Sequence, residues 1–293
     1  VNNAEFRKSI YYGFDRTAAI LTSYPYEPEK QLLNTITTKN FVNVDGVDYT
    51  ELDALKELGE TAQFDKEKAL EHKEKALAAL NGTVEFPVTV VMPYSTGNLG
   101  LTNRVQVEKQ QLENLLGSDY IQIELVPYPP TNYNKEARSS GKFSLMEMGW
   151  GPDYTDPAGY AETMTHDTSI GTKYSRPYLA EDLKDADGNS IYETMVEAAR
   201  NETADVNKRY EMFAEAERYL IDHALVIPFY ASGGGYRATV LDPFSGRCTQ
   251  FGRNLDKYKG AKVLDKPMTN EEYAAAEAVY MEERAEALKE ETK

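Results

Sequence analysis

VEFPVTVVMPYS at residues 84–95, LTNRVQVEKQQLENLLG at 101–117 and IQIELVPY at 121–128 are the stretch of sequence that decides the fold. The first segment contains a run of β-branched residues, and the third alternates apolar and polar residues as a half-buried strand does. The segment between them has apolar residues at helical spacing and ends at Gly117. Strand, helix and strand over about forty residues predict a βαβ unit, with parallel strands and a right-handed crossover.

Other segments extend this unit along the chain. FSLMEMGW at 143–150 and LVIPFY at 225–230 are typical of further strands, and helical patterns occupy 191–200 and 206–222. Alternating strands and helices favour layers of helices on a sheet. The sequence therefore predicts an α/β fold with a mixed β-sheet and surrounding helices.

The first part of the chain predicts helices and loops. Residues 4–20 place Phe6, Ile10 and Phe14 four residues apart, the spacing of a buried helix stripe. Residues 23–62 contain prolines and glycines that break the periodicity. We interpret them as loops and short helices that run over a surface.

Composition and charge exclude several classes of protein. The 293 residues are 41% hydrophobic, which is enough for a sizeable core and excludes wholesale disorder. Lys and Arg number 32 against 48 Asp and Glu, which gives a net charge of −16. Because this charge repels phosphate backbones and no Lys/Arg cluster overrides it, we expect no nucleic-acid partner. No apolar run approaches the roughly 18–20 residues of a membrane-spanning helix, and the N-terminus has no signal-peptide pattern.

Metal-binding and nucleophile patterns are weak. His72, His166 and His223 are scattered and form no His-x₃-His or His-Glu-x-x-His arrangement. His72 lies on the charged face of its helix, where we expect it to be solvated, and His223 lies at a helix end, where a cation favours the dipole. The single cysteine, Cys248, makes neither an internal disulfide nor a zinc site. We therefore expect no metal and no cofactor.

The composition changes after residue 231. SGGGY at 232–236 lacks the Lys-Ser/Thr of a phosphate loop and predicts a flexible joint. Thr269 and Glu272 have capping-box spacing and begin an Ala- and Glu-rich helix with a thin apolar side. The chain is thus expected to have three parts: a main α/β domain at 1–231, a segment at 232–268 and an acidic helix at 269–293.

One segment, GWGPDYTDPAGY at 149–160, is the candidate ligand site. It follows a predicted strand, and open α/β sheets bind ligands beyond the carboxyl ends of their strands. The carboxylate of Asp153 beside the indole of Trp150 suits an ammonium group, through a charge-assisted hydrogen bond and cation–π attraction. We expect ligand contacts from Trp150, Gly151, Asp153 and Tyr154.

Other interpretations of this segment remain open. Trp150 in the core and aspartates that cap the next helix would explain the same residues, and Asp156 before Pro157 fits an N-cap followed by a proline. We assign Asp156 to that cap, and for Asp153 both interpretations stand. A glycoside hydrolase would use Asp153 and Asp156 as paired carboxylates roughly 5–9.5 Å apart, but no second acidic cluster lies nearby. A surface interaction module is a third possibility, which the acidic C-terminal helix favours.

Three motifs together resemble a known family. N-x-x-FRKSIYYGFDR at 3–16, GWGPDYTDP at 149–157 and RYEMFAEAERYLIDHALVIPFYA at 209–231 follow one another as in the second half of oligopeptide-binding proteins of ABC importers. GWGPDY is similar to the surface receptors of Gram-positive bacteria in particular. The resemblance covers almost all of residues 1–245 and leaves out the acidic helix.

This resemblance implies a function without catalysis. Such receptors have two lobes that close over an extended peptide, which gains strand-like main-chain hydrogen bonds. Residues 1–231 are then the second lobe, and 232–268 return towards the first lobe. The motif's aspartate, here Asp153, receives the peptide's α-amino group, although Pro152 replaces a small residue of some relatives.

The implied partners are an oligopeptide and an ABC permease in the membrane, while relatives also bind nickel complexes, haem or sugars. The implied location is extracytoplasmic, with a lipid anchor at the cell surface. Because the chain begins where the second lobe begins, we expect a C-terminal fragment without its export signal and first lobe.

Overall fold

A computed structural model describes residues 2–60, 63–166, 176–231, 239–245 and 260–291. The chain divides into two compact units. The main unit contains Val1–Trp150 and Thr155–Ser232, and the second unit contains Gly151–Tyr154 and Gly233–Lys293. The predicted joint at 232–236 and the single cysteine, Cys248, lie outside the described residues.

Helices are more numerous than strands in the described ranges. The helices are α1 (Ala4–Gly13), α2 (Arg16–Ile20), α3 (Lys56–Glu60), α4 (Lys66–Leu80), α5 (Leu99–Leu116), α6 (Pro130–Asn132), α7 (Ala158–Ala161), α8 (Ile191–Asn201), α9 (Val206–Asp222) and α10 (Asn270–Glu291). The strands are β1 (Asn43–Val44), β2 (Val47–Asp48), β3 (Val88–Ser95) and β4 (Ile121–Tyr128). Short 3₁₀ turns occupy Pro28–Gln31, Tyr49–Glu51, Glu162–Met164, Pro177–Leu179 and Glu181–Leu183, and Tyr133–Ser139 is π-helical.

The predicted βαβ unit is confirmed. Strands β3 and β4 pair in parallel, with Val88 opposite Ile121 at the start of the register, and α5 connects them. The side chain of Asn98 accepts a hydrogen bond from the Leu101 N–H and caps the first turn of α5. Gly117, with a φ of 93°, ends the helix in a backbone conformation that favours glycine.

The main hydrophobic core forms where α1, α4 and α5 lie against the β3–β4 pair. The predicted stripe is confirmed, since Phe6, Ile10 and Phe14 are all buried. Residues 4–20 form two helices, because the Asp15 side chain caps α2 through the Ala18 N–H. Fully buried members of this core include Ala69, Ala76, Leu112, Leu116 and Ile121.

The described sheets are smaller than the predicted mixed sheet. Residues 143–150 run beside β3 without forming a strand: the N–H groups of Ser144 and Leu145 both donate to the Val91 carbonyl, at 2.8 and 3.2 Å. The Val91 N–H donates to the Ser144 hydroxyl instead of a backbone carbonyl. A side chain thus takes a position that a strand's backbone would need, and the ladder stops there.

The predicted strand at 225–230 is also wrong. This segment forms an isolated antiparallel bridge between Leu32 and Tyr230 and does not join β3 or β4. Pro228 has no N–H to donate, and its carbonyl accepts a hydrogen bond from the buried guanidinium of Arg16 at 2.7 Å. The apolar residues predicted a strand of the sheet, but Arg16 binds the Pro228 carbonyl, and the neighbouring Phe229 carbonyl and Ala231 N–H pair with residues 31–33 instead.

The described part of the segment 23–62, which ends at residue 60, is more buried than predicted. The β1–β2 hairpin is antiparallel, and the loops around it carry fully or almost fully buried side chains. The buried members include Phe41, Val44, Tyr49 and Leu55. This segment therefore forms part of the interior of the main unit, and the prediction that it only covers a surface was wrong.

The C-terminal helix begins as predicted. The Thr269 N–H donates to the Glu272 carboxylate and the Glu272 N–H donates to the Thr269 hydroxyl, which is the reciprocal pattern of a capping box. Within the second unit, the Phe244 ring contacts the rings of Tyr273 and Tyr280, with centroids 5.1 and 5.3 Å apart. Most other side chains described in α10 are exposed, as expected for a helix with a thin apolar side.

Candidate functional site

The loops that follow β3 and β4 lie close together. A Cβ atom at Gly97 would come within 2.3 Å of Pro130 Cγ, so this approach requires glycine. Half-buried tyrosines gather around the same ends of the strands: Tyr94, Tyr128 and Tyr133. Tyrosine combines apolar area with a hydrogen-bonding hydroxyl, which suits a partly wet recognition surface.

Trp150 is the last residue of the first stretch of the main unit and follows the segment that contacts β3. Its side chain is half-buried, and its indole N–H donates to the Gly159 carbonyl at 2.7 Å. The polar edge of the indole is therefore used inside the main unit, at the start of α7. This hydrogen bond restricts the orientation of the indole ring. Less of the ring is therefore available to a ligand than if the side chain were fully exposed.

Residues 151–154 belong to the second unit. Gly151, Asp153 and Tyr154 are exposed, and Pro152 is buried. The predicted contacts of Trp150, Gly151, Asp153 and Tyr154 with a ligand therefore stay a prediction.

Asp156 has a structural role. One carboxylate oxygen accepts a hydrogen bond from the Ala158 N–H at 2.8 Å, and the other lies 2.5 Å from Arg209 Nη1. The predicted capping role is confirmed, at the N-terminus of α7. The guanidinium of Arg209 also lies 4.8 Å from the centroid of the Phe213 ring, which holds the ion pair against the core.

A buried arginine of α5 joins several segments of the main unit. Arg104 is 4% exposed, and its Nε and Nη2 donate to the two carboxylate oxygens of Glu147 at 3.0 and 2.5 Å. Its Nη1 donates to the Ser23 hydroxyl at 2.9 Å. The Tyr230 hydroxyl accepts from Nη2 and donates to Glu147, both at 3.3 Å. The guanidinium also lies over the rings of Phe229 and Tyr230, 5.7 and 5.1 Å from their centroids.

Glu108 lies one helical turn after Arg104 and is 2% exposed. Its Oε1 is 3.9 Å from Arg104 Nε and accepts no hydrogen bond from the residues that the structure describes. Burial, assisted by the charge of Glu147 and opposed by that of Arg104, raises the pKa of Glu108 to about 8. Because this value lies above neutrality, the protonated form of Glu108 predominates at pH 7.

The sequence contained a signal for part of this network. Arg104 and Glu108 each lie three residues after an apolar residue of the α5 stripe, Leu101 and Val105. Charged residues on the buried face of a helix require partners inside the fold. Their partner Glu147 lies on a distant segment, and only the tertiary structure identifies it.

Two histidine predictions need correction. His72 is only 15% exposed, because its Nδ1 lies 2.6 Å from the Glu5 carboxylate and its ring stacks on Tyr12. The contact between α1 and α4 thus covers a ring that we expected to be solvated. His223 does lie at the end of α9, but burial, reinforced by nearby cations, lowers the pKa of its ring. The neutral ring is therefore favoured over the cation that we expected.

A small cavity lies elsewhere in the main unit. It measures about 10 Å³, which is room for roughly one water molecule and excludes a peptide. Its polar lining includes Tyr49, Tyr192 and the buried carboxylate of Glu217. Glu217 accepts hydrogen bonds from the backbone N–H groups of Ile36 and Thr37, at 2.7 and 3.1 Å. We assign this region to structure.

The described ranges contain no group of three or more His, Cys, Asp or Glu side chains placed to hold a metal ion. They also contain no helix that is both long enough and apolar enough to cross a membrane.

Comparison with known proteins identifies the class. Residues 1–172 match the bacterial extracellular solute-binding proteins, family 5, in the middle part of that family. The match covers more than half of the chain, and the chain belongs to this family. Its members are extracellular proteins that bind solutes.

Several named relatives match along nearly the whole chain. The oligopeptide-binding protein SarA of Streptococcus gordonii is 32% identical over 98% of this chain and 47% of its own length. The oligopeptide-binding protein AliB of Streptococcus pneumoniae is 30% identical over 99% of this chain and 48% of its own length. The chain therefore spans about half the length of these relatives.

The fold is also found among solved structures. The substrate-binding domain of an oligopeptide ABC transporter from Bacillus anthracis superposes with a TM-score of 0.60 at 20% identity, covering 78% of this chain and 40% of that one. At this identity the likeness establishes the fold. The predicted α/β fold of the periplasmic-binding-protein type is thus confirmed, with smaller sheets than expected.

Proposed function

We propose that this chain is the second lobe of a two-lobed extracytoplasmic receptor that captures oligopeptides and delivers them to an ABC permease. The observation that carries this proposal is an alignment with a protein named for oligopeptide binding, which covers 98% of the chain at 32% identity. The chain order supports it, because the segment that donates from Ser144 and Leu145 to Val91 of β3 continues directly to Trp150 and the candidate turn. The proposed receptor is not an enzyme, needs no cofactor and is held at the cell surface by a lipid anchor.

In this proposal the turn at 150–154 binds the peptide's N-terminus. The exposed carboxylate of Asp153 receives the α-amino group through a charge-assisted hydrogen bond. Trp150 and Tyr154 supply aromatic area beside it, and the backbone at Gly151 offers close approach. The rest of the peptide lies extended and gains main-chain hydrogen bonds from the cleft walls.

The arrangement does not favour a glycoside hydrolase. That reaction needs one carboxyl group to protonate the leaving group and a second to act on the sugar. The obvious second carboxylate, Asp156, has one oxygen in a helix cap and the other in an ion pair with Arg209. Both oxygens are therefore already used in folding.

The test is to identify what the two-lobed receptor carries and whether it transforms it. We expect native mass spectrometry of the purified receptor to detect co-purified peptides, and calorimetry to give saturable binding of oligopeptides that are recovered intact. Turnover of a chromogenic glycoside would contradict the proposal. Co-purification of a nickel complex, a haem or a sugar in place of peptides would also contradict it.

A further inference from the structure

The chain leaves the main unit at two places, after Trp150 and after Ser232. Glu147 lies three residues before the first exit, and Tyr230 lies two residues before the second. Both side chains are hydrogen-bonded to the same guanidinium, that of Arg104. One residue of α5 therefore holds both segments through which the chain leaves the main unit.

Side-chain contacts add to the backbone hydrogen bonds of Ser144 and Leu145 that hold the first of these segments to the main unit. The Glu147 carboxylate binds Arg104 through two hydrogen bonds, and the Tyr133 hydroxyl lies 3.4 Å from the Glu147 carbonyl. Three residues later, the Trp150 indole is fixed to Gly159. These side-chain contacts thus contribute to the position of the turn.

The ion pair has the geometry of a rigid clamp. A guanidinium that binds both oxygens of one carboxylate fixes direction as well as distance. Arg104 is 4% exposed and the Glu147 side chain is 21% exposed, so solvent and salt screen the pair weakly. The helix that carries Arg104, α5, is anchored in the core, because its residues Leu112 and Leu116 are fully buried.

The second carboxylate near Arg104 cannot replace this clamp. Glu108 lies on the same helix as Arg104 and forms only a 3.9 Å contact with it. A contact within one helix holds no other segment. Removal of the Glu147 charge would therefore release the segment before Trp150.

We propose that Arg104 and Glu147 are positioning residues, which set the placement of the Trp150 turn and of the segment that ends at Tyr230. The effect expected on peptide affinity rests on the proposed function. The effect expected on the position of Trp150 does not rest on it.

The first test uses the sole tryptophan of the 293-residue chain as a reporter. In Glu147→Gln and Arg104→Lys we expect a shifted Trp150 emission maximum and easier acrylamide quenching at temperatures where far-ultraviolet circular dichroism is native. The matched control is Glu113→Gln, which removes another ion pair of α5, that of Lys109 and Glu113 at 2.6 Å. It should leave Trp150 emission and quenching unchanged.

Native emission and quenching in Glu147→Gln would overturn the inference, as would an equal change in the control. If Arg104→Lys does not fold, Glu147→Gln decides alone, because glutamine keeps the size and shape of the side chain but replaces one acceptor oxygen with an NH2 group that cannot accept from the guanidinium.

The second test measures peptide affinity in the two-lobed receptor. We expect Glu147→Gln to weaken a peptide with a free N-terminus roughly tenfold, which corresponds to about 1.4 kcal/mol. In an Asp153→Ala background the same substitution should have little further effect, since both changes act on one turn. Full additivity would overturn the positioning role. Failure of the parent receptor to bind peptides, together with an altered Trp150 signal in Glu147→Gln, would contradict the proposed function and leave the positioning role supported.

Discussion

Individual charges inside the main unit are held by different partners, and the partner determines what each charge does. Arg16 donates to the carbonyl of Pro228 and so fixes a loop, whereas Glu217 accepts from two backbone N–H groups. Arg104 instead binds a carboxylate from another segment. Asp153 differs from all three because it is exposed. The buried charges serve the fold, while the exposed position of Asp153 is compatible with its proposed contact to a ligand.

Substitution of Asp153 tests its proposed role as the receptor of an α-amino group. In the two-lobed receptor, Asp153→Ala should weaken peptides with a free N-terminus by about 1.5–3 kcal/mol, or about one to two decades in Kd. N-acetylated peptides should keep their affinity, because they have no ammonium group to lose. The measurement is calorimetry of both peptides, with Asp187→Ala, in another exposed loop, as the control. Equal weakening of both peptides would mean that Asp153 only holds the loop.

Glu108 should make the stability of the chain depend on pH. Burial raises the pKa of Glu108 from 4.5 to about 8, so between these values the folded chain holds a proton that the unfolded chain has lost. The free energy of unfolding should therefore fall as pH rises through this window, by at most about 1.4 kcal/mol per pH unit from this group. Glu108→Gln, which keeps a neutral side chain beside Arg104 and Glu147, should lack this contribution. Urea unfolding across the window checks it, and parallel pH profiles of the two proteins would refute it.

At the scale of elements, the helices and the βαβ unit were predictable, and the additional strands were not. The periodicity of 101–117 and the alternation of 121–128 are local properties, so the sequence alone identifies α5 and β4. The residues that begin a helix are also a local signal, since Thr269 and Glu272 cap α10 as expected. Residues 143–150 failed as a strand because a serine side chain, that of Ser144, replaced a backbone partner.

The candidate site divides in the same way. The capping role of Asp156 follows from the proline beside it, and the sequence predicts it correctly. The clamp of Arg104 on Glu147 joins residues more than forty positions apart, and no local pattern encodes that pairing. Arg104 and Glu108 were not among the residues singled out from the sequence, although each lies three residues after an apolar residue of the α5 stripe.

The βαβ element makes a prediction about α5. Leu112 is fully buried against the core, so Leu112→Ala should lower the free energy of unfolding by about 3 kcal/mol through lost burial and a residual cavity. Leu99, on the same helix, is 74% exposed, and Leu99→Ala should change it by about 0.5 kcal/mol or less. Chemical denaturation of both variants gives the comparison. Similar losses for the two would contradict the described packing of α5.

At the scale of the whole molecule, the central claim is that peptide binding needs both lobes. A peptide on one lobe lacks the main-chain hydrogen bonds and the desolvation that the other lobe supplies, and an open half-site leaves the Asp153–ammonium pair screened by water. The entropy lost on ordering a flexible peptide stays almost the same. The favourable interaction free energy is smaller on one lobe, while the entropy cost of ordering the peptide is unchanged. A peptide that binds with a micromolar Kd should therefore bind with a millimolar or weaker Kd, which corresponds to a loss of at least about 4 kcal/mol of binding free energy.

Calorimetry of one oligopeptide set against the 293-residue chain and against the two-lobed receptor tests this claim most directly. We expect micromolar dissociation constants for the two-lobed receptor and millimolar or weaker binding for the chain by itself. A micromolar dissociation constant for the chain alone would contradict the claim that binding is shared, and no binding by the two-lobed receptor would contradict the peptide-receptor function itself.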